Sequence, residues 1–109
     1  MKAIVIEFNG KNYKLGYNVR TIRNMSAAGF KLSDIHDAPL IALPQLFAGA
    51  FKADNPYLNE KIINDIYENM TERAALIGKL IEMYTEVINA YMEDDTEKAG
   101  NATWAEVTV

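Results

Sequence analysis

The chain has no cysteine and a single histidine, His36, among its 109 residues. Without cysteine it can form neither a disulfide framework nor a thiolate metal site, and nothing in it indicates an oxidising compartment. His36 lies between Asp34 and Asp37, but a metal site needs further ligands that converge on one point. The sequence therefore predicts no metal site.

Clustered glycines are also missing. The six glycines stand singly in the sequence, so no glycine-rich loop is available to hold a phosphate. The acidic residues 93–97 lack the spacing and the central glycine of a calcium loop. No group of residues shows the pattern of a catalytic site. We therefore expect a protein that is not an enzyme, with no catalytic, cofactor-binding or metal-binding residues.

Hydrophobic runs are short. The longest, residues 39–51, has thirteen residues, whereas a helix that crosses a bilayer needs about 20. The first residues alternate too soon between apolar and polar side chains to form a signal peptide. These features predict no membrane span and a cytoplasmic location.

The run at residues 39–51 predicts a helix that is apolar on every side and lies at the centre of the domain. Pro44 has no N–H to donate, so the helix should kink or restart there. Ala48, Gly49 and Ala50 make one flank thin, and this lets another helix approach closely.

Charge is divided along the chain, which has a net charge of −4. Residues 1–31 contain six basic residues and one acid, whereas residues 54–109 contain twelve acids and four basic residues. Two explanations remain open. The charges form solvated faces of opposite sign, or they form two surfaces that meet different partners.

Residues 2–17 have the pattern of a β-hairpin. Asn9-Gly10 favours the two positive φ angles of a type I′ turn. This turn sets Phe8 opposite Lys11, Ile6 opposite Tyr13 and Ile4 opposite Leu15. The pairing collects the large apolar side chains on one face of the hairpin.

Helical periodicity follows the hairpin. We expect a helix capped by Asn18 and ended by Gly29, the apolar helix at 39–53, a helix of about four turns that begins at Asn55-Pro56, and a helix at 72–93 capped by Thr71. Nine apolar residues of the last helix cover about half of its circumference: Leu76, Ile77, Leu80, Ile81, Met83, Tyr84, Val87, Ile88 and Tyr91. This half should contact the 39–53 helix and either the hairpin or a second subunit.

These elements predict an α+β fold, with an N-terminal β-hairpin followed by about four α-helices packed in one core. Residues 1–93 form the single domain, because half of the residues are apolar and the chain has the size for one core. Residues 94–109 form a flexible acidic C-terminal tail that contains Trp104. Either Trp104 folds back onto the domain, including as an edge strand beside the hairpin, or it anchors the tail on a partner.

Several stretches carry a resemblance to a known family. They are the hairpin with its Asn-Gly turn, residues 17–30 (YNVRTIRNMSAAGF), 34–39 (DIHDAP), 43–51 (LPQLFAGAF), a closing helix and residues 100–104 (GNATW). Together they resemble the tail assembly chaperones of long-tailed phages and prophages of Gram-positive bacteria, over nearly the whole chain.

The resemblance implies a cytoplasmic helper that is absent from the finished virion. Such a protein coats the tape measure protein and recruits tail tube subunits, and many copies act together, so we expect a homo-oligomer. The candidate partner-binding residues are large apolar side chains: Leu46, Phe47, Phe51, Tyr84, Tyr91 and Trp104.

The alternative is a small phage nucleic-acid-binding or regulatory protein. Arg20 and Arg23 lie one turn apart on a helix beside Lys11 and Lys14 of the hairpin, and such a patch can contact phosphates. The overall acidity disfavours this role, as does the predicted inward direction of the aromatic residues.

Overall fold

The computed structural model describes residues 3–93 and 102–108. Two strands are followed by five helices: β1 (Ile4–Phe8), β2 (Lys11–Leu15), α1 (Val19–Ala27), α2 (Asp34–Asp37), α3 (Pro39–Lys52), α4 (Glu60–Glu68) and α5 (Arg73–Met92). The predicted α+β fold, a hairpin followed by helices, is confirmed. The four-residue helix α2 is not among the helices expected from the sequence.

The hairpin has the predicted turn and register. Asn9 and Gly10 have φ angles of 51° and 78°, as a type I′ turn requires. β1 pairs antiparallel with β2, with Ile6 opposite Tyr13 and Phe8 opposite Lys11. Because side chains alternate along a strand, this register turns one face of the hairpin towards the core.

Both ends of α1 follow from local chemistry. The Asn18 side chain accepts a hydrogen bond from the backbone N–H of Thr21 at 2.8 Å, which confirms the predicted N-cap. At the other end Gly29 has a φ of 100°, and the N–H of Phe30 donates to the carbonyl of Met25 at 3.0 Å. This reversal turns Phe30 back into the core, where it is buried.

α3 is the helix around which the domain is packed. It contacts α1, α2, α4, α5 and β2. It runs unbroken through Pro44 and does not restart there. On its thin flank a Cβ atom at Gly49 would overlap the Met25 side chain of α1, so the predicted close approach of a second helix is confirmed.

Hydrogen bonds join the end of β2 to the C-terminal half of α3. The N–H of Gly16 donates to the carbonyl of Ala50 at 3.0 Å, and the Tyr17 hydroxyl donates to the carbonyl of Leu46 at 2.6 Å. The Tyr17 bond is buried, so its loss would leave polar atoms without water as a replacement partner. These bonds fix the hairpin on α3.

The start of α4 differs from the prediction. The helix begins at Glu60 with Asn59 as its cap, and not at Asn55-Pro56. The Asn55 side chain instead donates to the carbonyl of Lys14 at 3.0 Å, which joins the segment after α3 to the hairpin. An Asn-Pro pair favours a helix start locally, but here the Asn55 side chain contacts the hairpin through its NH2 group, and the residues that follow form a turn instead of a helix. α4 is consequently shorter than expected.

The predicted Thr71 cap of α5 is also wrong. Glu72 stands at the N-cap position with a φ of 51° and makes no capping hydrogen bond with its side chain. Arg73 reaches back instead, and its guanidinium donates to the carbonyl of Glu68 at 3.0 Å. Glu72, the last residue before α5, therefore lies in the left-handed region of backbone space.

One hydrophobic core unites the hairpin and the helices α1, α3, α4 and α5. Its buried members are Ile6, Leu15, Tyr17, Met25, Phe30, Ala42, Leu46, Phe47, Ala50, Phe51, Ile63, Ile66, Leu80, Met83 and Tyr84. The predicted stripe of α5 is buried in its centre, but its last members, Ile88 and Tyr91, are exposed.

Replacing Tyr17 with phenylalanine should destabilise the domain by about 1 kcal/mol, because the buried hydrogen bond to Leu46 is lost. Burial is the main cause that raises the pKa of Tyr17 above its ordinary value, and the neighbouring Tyr84 raises it further. The unfolded chain therefore loses this proton at about pH 10 while the folded chain keeps it. The stability that Tyr17 contributes is complete below about pH 10 and falls as pH rises above it.

Urea unfolding at pH 7 and at alkaline pH measures both effects. Tyr17→Phe should unfold at a lower urea concentration at pH 7 and should lose less stability at alkaline pH than the natural chain. Tyr57→Phe is the control, since Tyr57 is 98% exposed. An equal alkaline loss in the Tyr17 variant and the natural chain would contradict this assignment.

Leu80 and Ile81 are neighbours on α5 that differ in burial, since Leu80 is fully buried and Ile81 half-buried. Leu80→Ala should cost about 2–5 kcal/mol, because it leaves a cavity in the core. Ile81→Asp should also destabilise strongly, because it places an unpaired charge against the core. Thermal unfolding measures both changes. An unchanged melting temperature for Ile81→Asp would mean that its side chain turns to solvent.

Candidate functional site

Two open grooves lie on either side of α1. The first, the α1–α3 groove, has a volume of about 670 Å³. It is lined by residues of α1, α3 and the segment after α3: Asn18, Arg20, Thr21, Asn24, Met25, Ala28, Phe30, Gln45, Ala48, Gly49, Lys52, Ala53, Pro56 and Tyr57.

The α1–α3 groove combines an apolar floor with a basic rim. Met25, Phe30 and Gly49 are buried and form the floor, while Arg20 and Lys52 bring positive charge. Among the described residues that line this groove, none carries a carboxylate. The groove is therefore positive in a chain that is acidic as a whole, which favours ligands with negative charge.

The second, the α1–α5 groove, is smaller, at about 560 Å³, and more apolar. Its lining consists of Tyr17, Asn18, Val19, Met83, Glu86, Val87, Ala90 and Tyr91. Of these described residues, Glu86 alone carries a charge.

Exposed apolar side chains continue from the α1–α5 groove along the end of α5. Ile88 is 38% exposed, Tyr91 63% and Met92 78%. The Tyr91 ring is held in place because the guanidinium of Arg23 donates to its hydroxyl at 3.1 Å and lies 5.7 Å from its centroid. Of these three side chains, Tyr91 also lines the α1–α5 groove.

A second apolar surface lies at the start of α3. Leu40 is 92% exposed and Ile41 66% exposed. Both belong to the segment that the sequence predicts as the central apolar helix, yet this first turn extends beyond the elements that cover the rest of α3.

Most of the predicted partner-binding residues lie in the core. Leu46, Phe47 and Phe51 have no exposed surface, and Tyr84 is 4% exposed. They would touch a partner only if the domain opened. Periodicity identified them as large apolar residues of helices, but it does not separate core positions from binding positions. Tyr91 and Trp104, by contrast, are exposed.

Tyr57 and Lys52 were not identified from the sequence as candidate site residues, although both line the α1–α3 groove. Tyr57 was assigned to a helix, whereas it lies in a turn and is 98% exposed. Lys52 lies between the two ranges whose charges were compared and was assigned no role. Gln45, the one strongly polar residue of the apolar segment, was the available signal, because a polar side chain in such a helix marks a position that reaches the surface.

The basic residues of the first third are exposed, as the nucleic-acid alternative requires. They are Lys11, Lys14, Arg20 and Arg23. Tyr13 packs against Phe51 with ring centroids 6.0 Å apart, and Tyr17 is buried, so neither presents a face to a nucleotide base. Phosphate contacts remain available to this surface, but stacking on these two rings does not.

The remaining polar groups do not converge on a site. Within residues 3–93 and 102–108, no three His, Asp or Glu side chains are placed to hold a metal ion. His36 is exposed on α2. The Arg73 guanidinium lies 4.6 Å from the Tyr67 ring centroid, and its Nε is buried without a hydrogen bond. In the same described part of the chain, no helix is both long and apolar enough to span a bilayer.

A family model described as "Domain of unknown function (DUF5055)" matches residues 1–107. The chain belongs to the DUF5055 family. No curated protein and no solved structure matches it. The match covers every residue that lines the two grooves, and the described tail as far as Val107.

The described part of the DUF5055 tail, residues 102–108, has no regular secondary structure and is exposed throughout. Trp104 is 89% exposed and Val107 76% exposed. In this structure Trp104 does not fold back onto the domain, nor does it add a strand to the hairpin. The predicted flexibility of the whole tail is not decided, because residues 94–101 and 109 lie outside the described residues.

Deleting residues 100–109 should leave the melting temperature of the DUF5055 domain unchanged at low protein concentration, because the described tail covers no core residue. Differential scanning calorimetry of the natural and shortened chains measures this. A fall of several degrees would show that the tail packs on the domain and that Trp104 contacts the core.

Proposed function

We propose that this DUF5055 protein is a tail assembly chaperone of a phage or prophage. It acts in the host cytoplasm without catalysis, binds the tape measure protein and tail tube subunits during tail assembly, and is absent from the mature virion. The first support is the resemblance, which extends over nearly the whole chain. The second is a surface suited to holding another helix.

The α1–α5 groove is the observation that carries this proposal. It is open and mainly apolar, and Tyr91 at its edge is 63% exposed and bound by Arg23. A groove of this kind receives the apolar face of an amphipathic helix, whose anchors recur at every third or fourth residue. The resemblance implies the tape measure protein as the partner. A protein of that kind is long, helical and apolar, so its helices would supply such faces.

The length of the groove fits one short helical segment. Its α5 residues run from Met83 to Tyr91, and a helix rises about 1.5 Å per residue, so this wall is about 12 Å long. That length matches about two turns of a partner helix. One copy would therefore cover a short part of a long partner, and many copies would be needed to coat it.

The charge of the protein suits a chaperone for an apolar partner. The net charge is −4. Bound copies add negative charge to a partner that would otherwise aggregate, and repulsion between like charges keeps such complexes in solution.

Nucleic-acid binding is the second candidate, and the exposed basic side chains of β2 and α1 favour it. The two functions respond differently to salt. Retention on DNA through phosphates falls steeply as salt rises, whereas binding of an apolar helix does not. Salt-sensitive retention of this protein on DNA at neutral pH would support the second candidate.

Ala90→Arg should weaken binding to the phage's own tape measure protein at least tenfold. Ala90 is exposed and lines the α1–α5 groove, so a long side chain there fills the groove without disturbing the core. The matched control is Asn89→Arg, which makes the same charge change at an exposed neighbour outside the groove. A pull-down followed by titration calorimetry measures the affinities.

Two results would contradict the chaperone proposal. One is the absence of binding between the natural chain and the tape measure protein when both are folded. The other is equal binding by Ala90→Arg and Asn89→Arg, which would exclude the α1–α5 groove as the binding surface. A gene position between a major tail protein gene and a tape measure gene would add independent support.

A further inference from the structure

Two aromatic side chains are almost fully exposed. Tyr57 is 98% exposed at the α1–α3 groove, and Trp104 is 89% exposed in the tail. Tyrosine and tryptophan are enriched in the buried centres of protein interfaces, because they bring a large apolar area at a small cost in conformational entropy. Each of these two side chains is therefore suited to contact another protein surface.

The α1–α3 groove has the shape and chemistry to accept an indole ring. Its volume of about 670 Å³ lies within the 300–1,000 Å³ typical of pockets that bind small groups. The small side chains of Ala48 and Ala53 leave room above the apolar floor. Arg20 can stack its guanidinium on an aromatic face, a contact that favours tryptophan over other rings.

Charge complementarity favours the chain's own tail as the occupant. The groove brings Arg20 and Lys52, and its described lining has no carboxylate. Residues 102–108 contain one acid, Glu106, two residues after Trp104, and no base, and four further acids precede them in the sequence at residues 93–97. Opposite charges of this kind raise the rate of encounter and fix the orientation of a bound peptide.

We propose that residues 102–108 of one copy dock in the α1–α3 groove of a second copy. The Trp104 indole lies on the apolar floor beside Tyr57, and Glu106 faces the basic rim. A second copy is the occupant because residues 102–108 are exposed in their own chain while the groove is open. This contact would hold whether or not the tape measure protein is the partner.

The contact joins two different surfaces, so each copy offers one tail and one groove. Such a heterologous contact either closes into a ring or continues as copies are added. The α1–α5 groove shares only Asn18 with the lining of the α1–α3 groove, and Asn18 takes no part in the proposed contact. Assembly between copies and binding of a partner helix are thus compatible.

The experiment uses the full chain, in which Trp104 is the only tryptophan and therefore reports its own environment. As protein concentration rises, tryptophan emission should shift to shorter wavelength, and the mass from sedimentation should increase in parallel. Trp104→Ala, and separately Arg20→Glu with Lys52→Glu, should weaken association at least tenfold. Lys31→Glu with Lys61→Glu, the same charge change at exposed sites outside the groove, should associate like the natural chain.

Mixing the two defective variants gives a sharper test. The Trp104→Ala chain keeps an intact groove, and the Arg20→Glu, Lys52→Glu chain keeps an intact tail. Each alone should remain monomeric, whereas their mixture should form a one-to-one dimer and nothing larger, because only one complementary pair of surfaces remains. Equal melting temperatures exclude misfolding. If the charge reversals unfold the chain, Arg20→Gln with Lys52→Gln replaces them.

Three outcomes would overturn the proposal. Short-wavelength emission at every concentration with a monomeric mass would mean that the tail docks in its own chain. Association that survives Trp104→Ala would place the contact elsewhere, for instance on the exposed end of α5. If the protein stayed monomeric with a solvent-exposed tryptophan at concentrations up to about 1 mM, the tail would have no useful affinity for the groove of a second copy.

Discussion

The structure depends on covering a helix that is apolar on every side. From Leu46 to Phe51, α3 keeps almost no exposed surface, and α1, α2, α4, α5 and β2 all contact it. A helix of 14 residues is only marginally stable alone in water, so α3 depends on the burial of its apolar side chains against the other elements. The hairpin and the other helices are arranged around α3 so that together they enclose it.

Two buried contacts turn this enclosure into a defined geometry. Tyr17 donates to the carbonyl of Leu46, and Gly49 allows Met25 of α1 to approach α3 closely. Hydrophobic burial alone has no direction, so a hydrogen bond and a close packing contact are what fix the position of the hairpin and of α1 on α3. Tyr17 also lines the α1–α5 groove, so the same residue links the core to the surface proposed to bind a partner helix.

α1 separates two grooves of different chemistry. The side towards α3 is basic at its rim, and the side towards α5 is mainly apolar. Arg23 of α1 donates a hydrogen bond to the Tyr91 hydroxyl, which joins the end of α5 to α1 although both side chains are exposed. A protein of this size can therefore use one face for an apolar helix and another for a charged peptide.

The sequence by itself determined the local features: the type I′ turn and register of the hairpin, the Asn18 cap, the reversal at Gly29 and the central apolar helix. Each depends on the backbone preferences of a few adjacent residues or on periodicity. Only the tertiary structure decided that Asn55 holds the hairpin instead of capping α4, and that Leu46, Phe47, Phe51 and Tyr84 are buried while Tyr57 and Tyr91 are exposed. The physical reason is that contacts between distant segments compete with local preferences, and one sequence does not state which segments will meet.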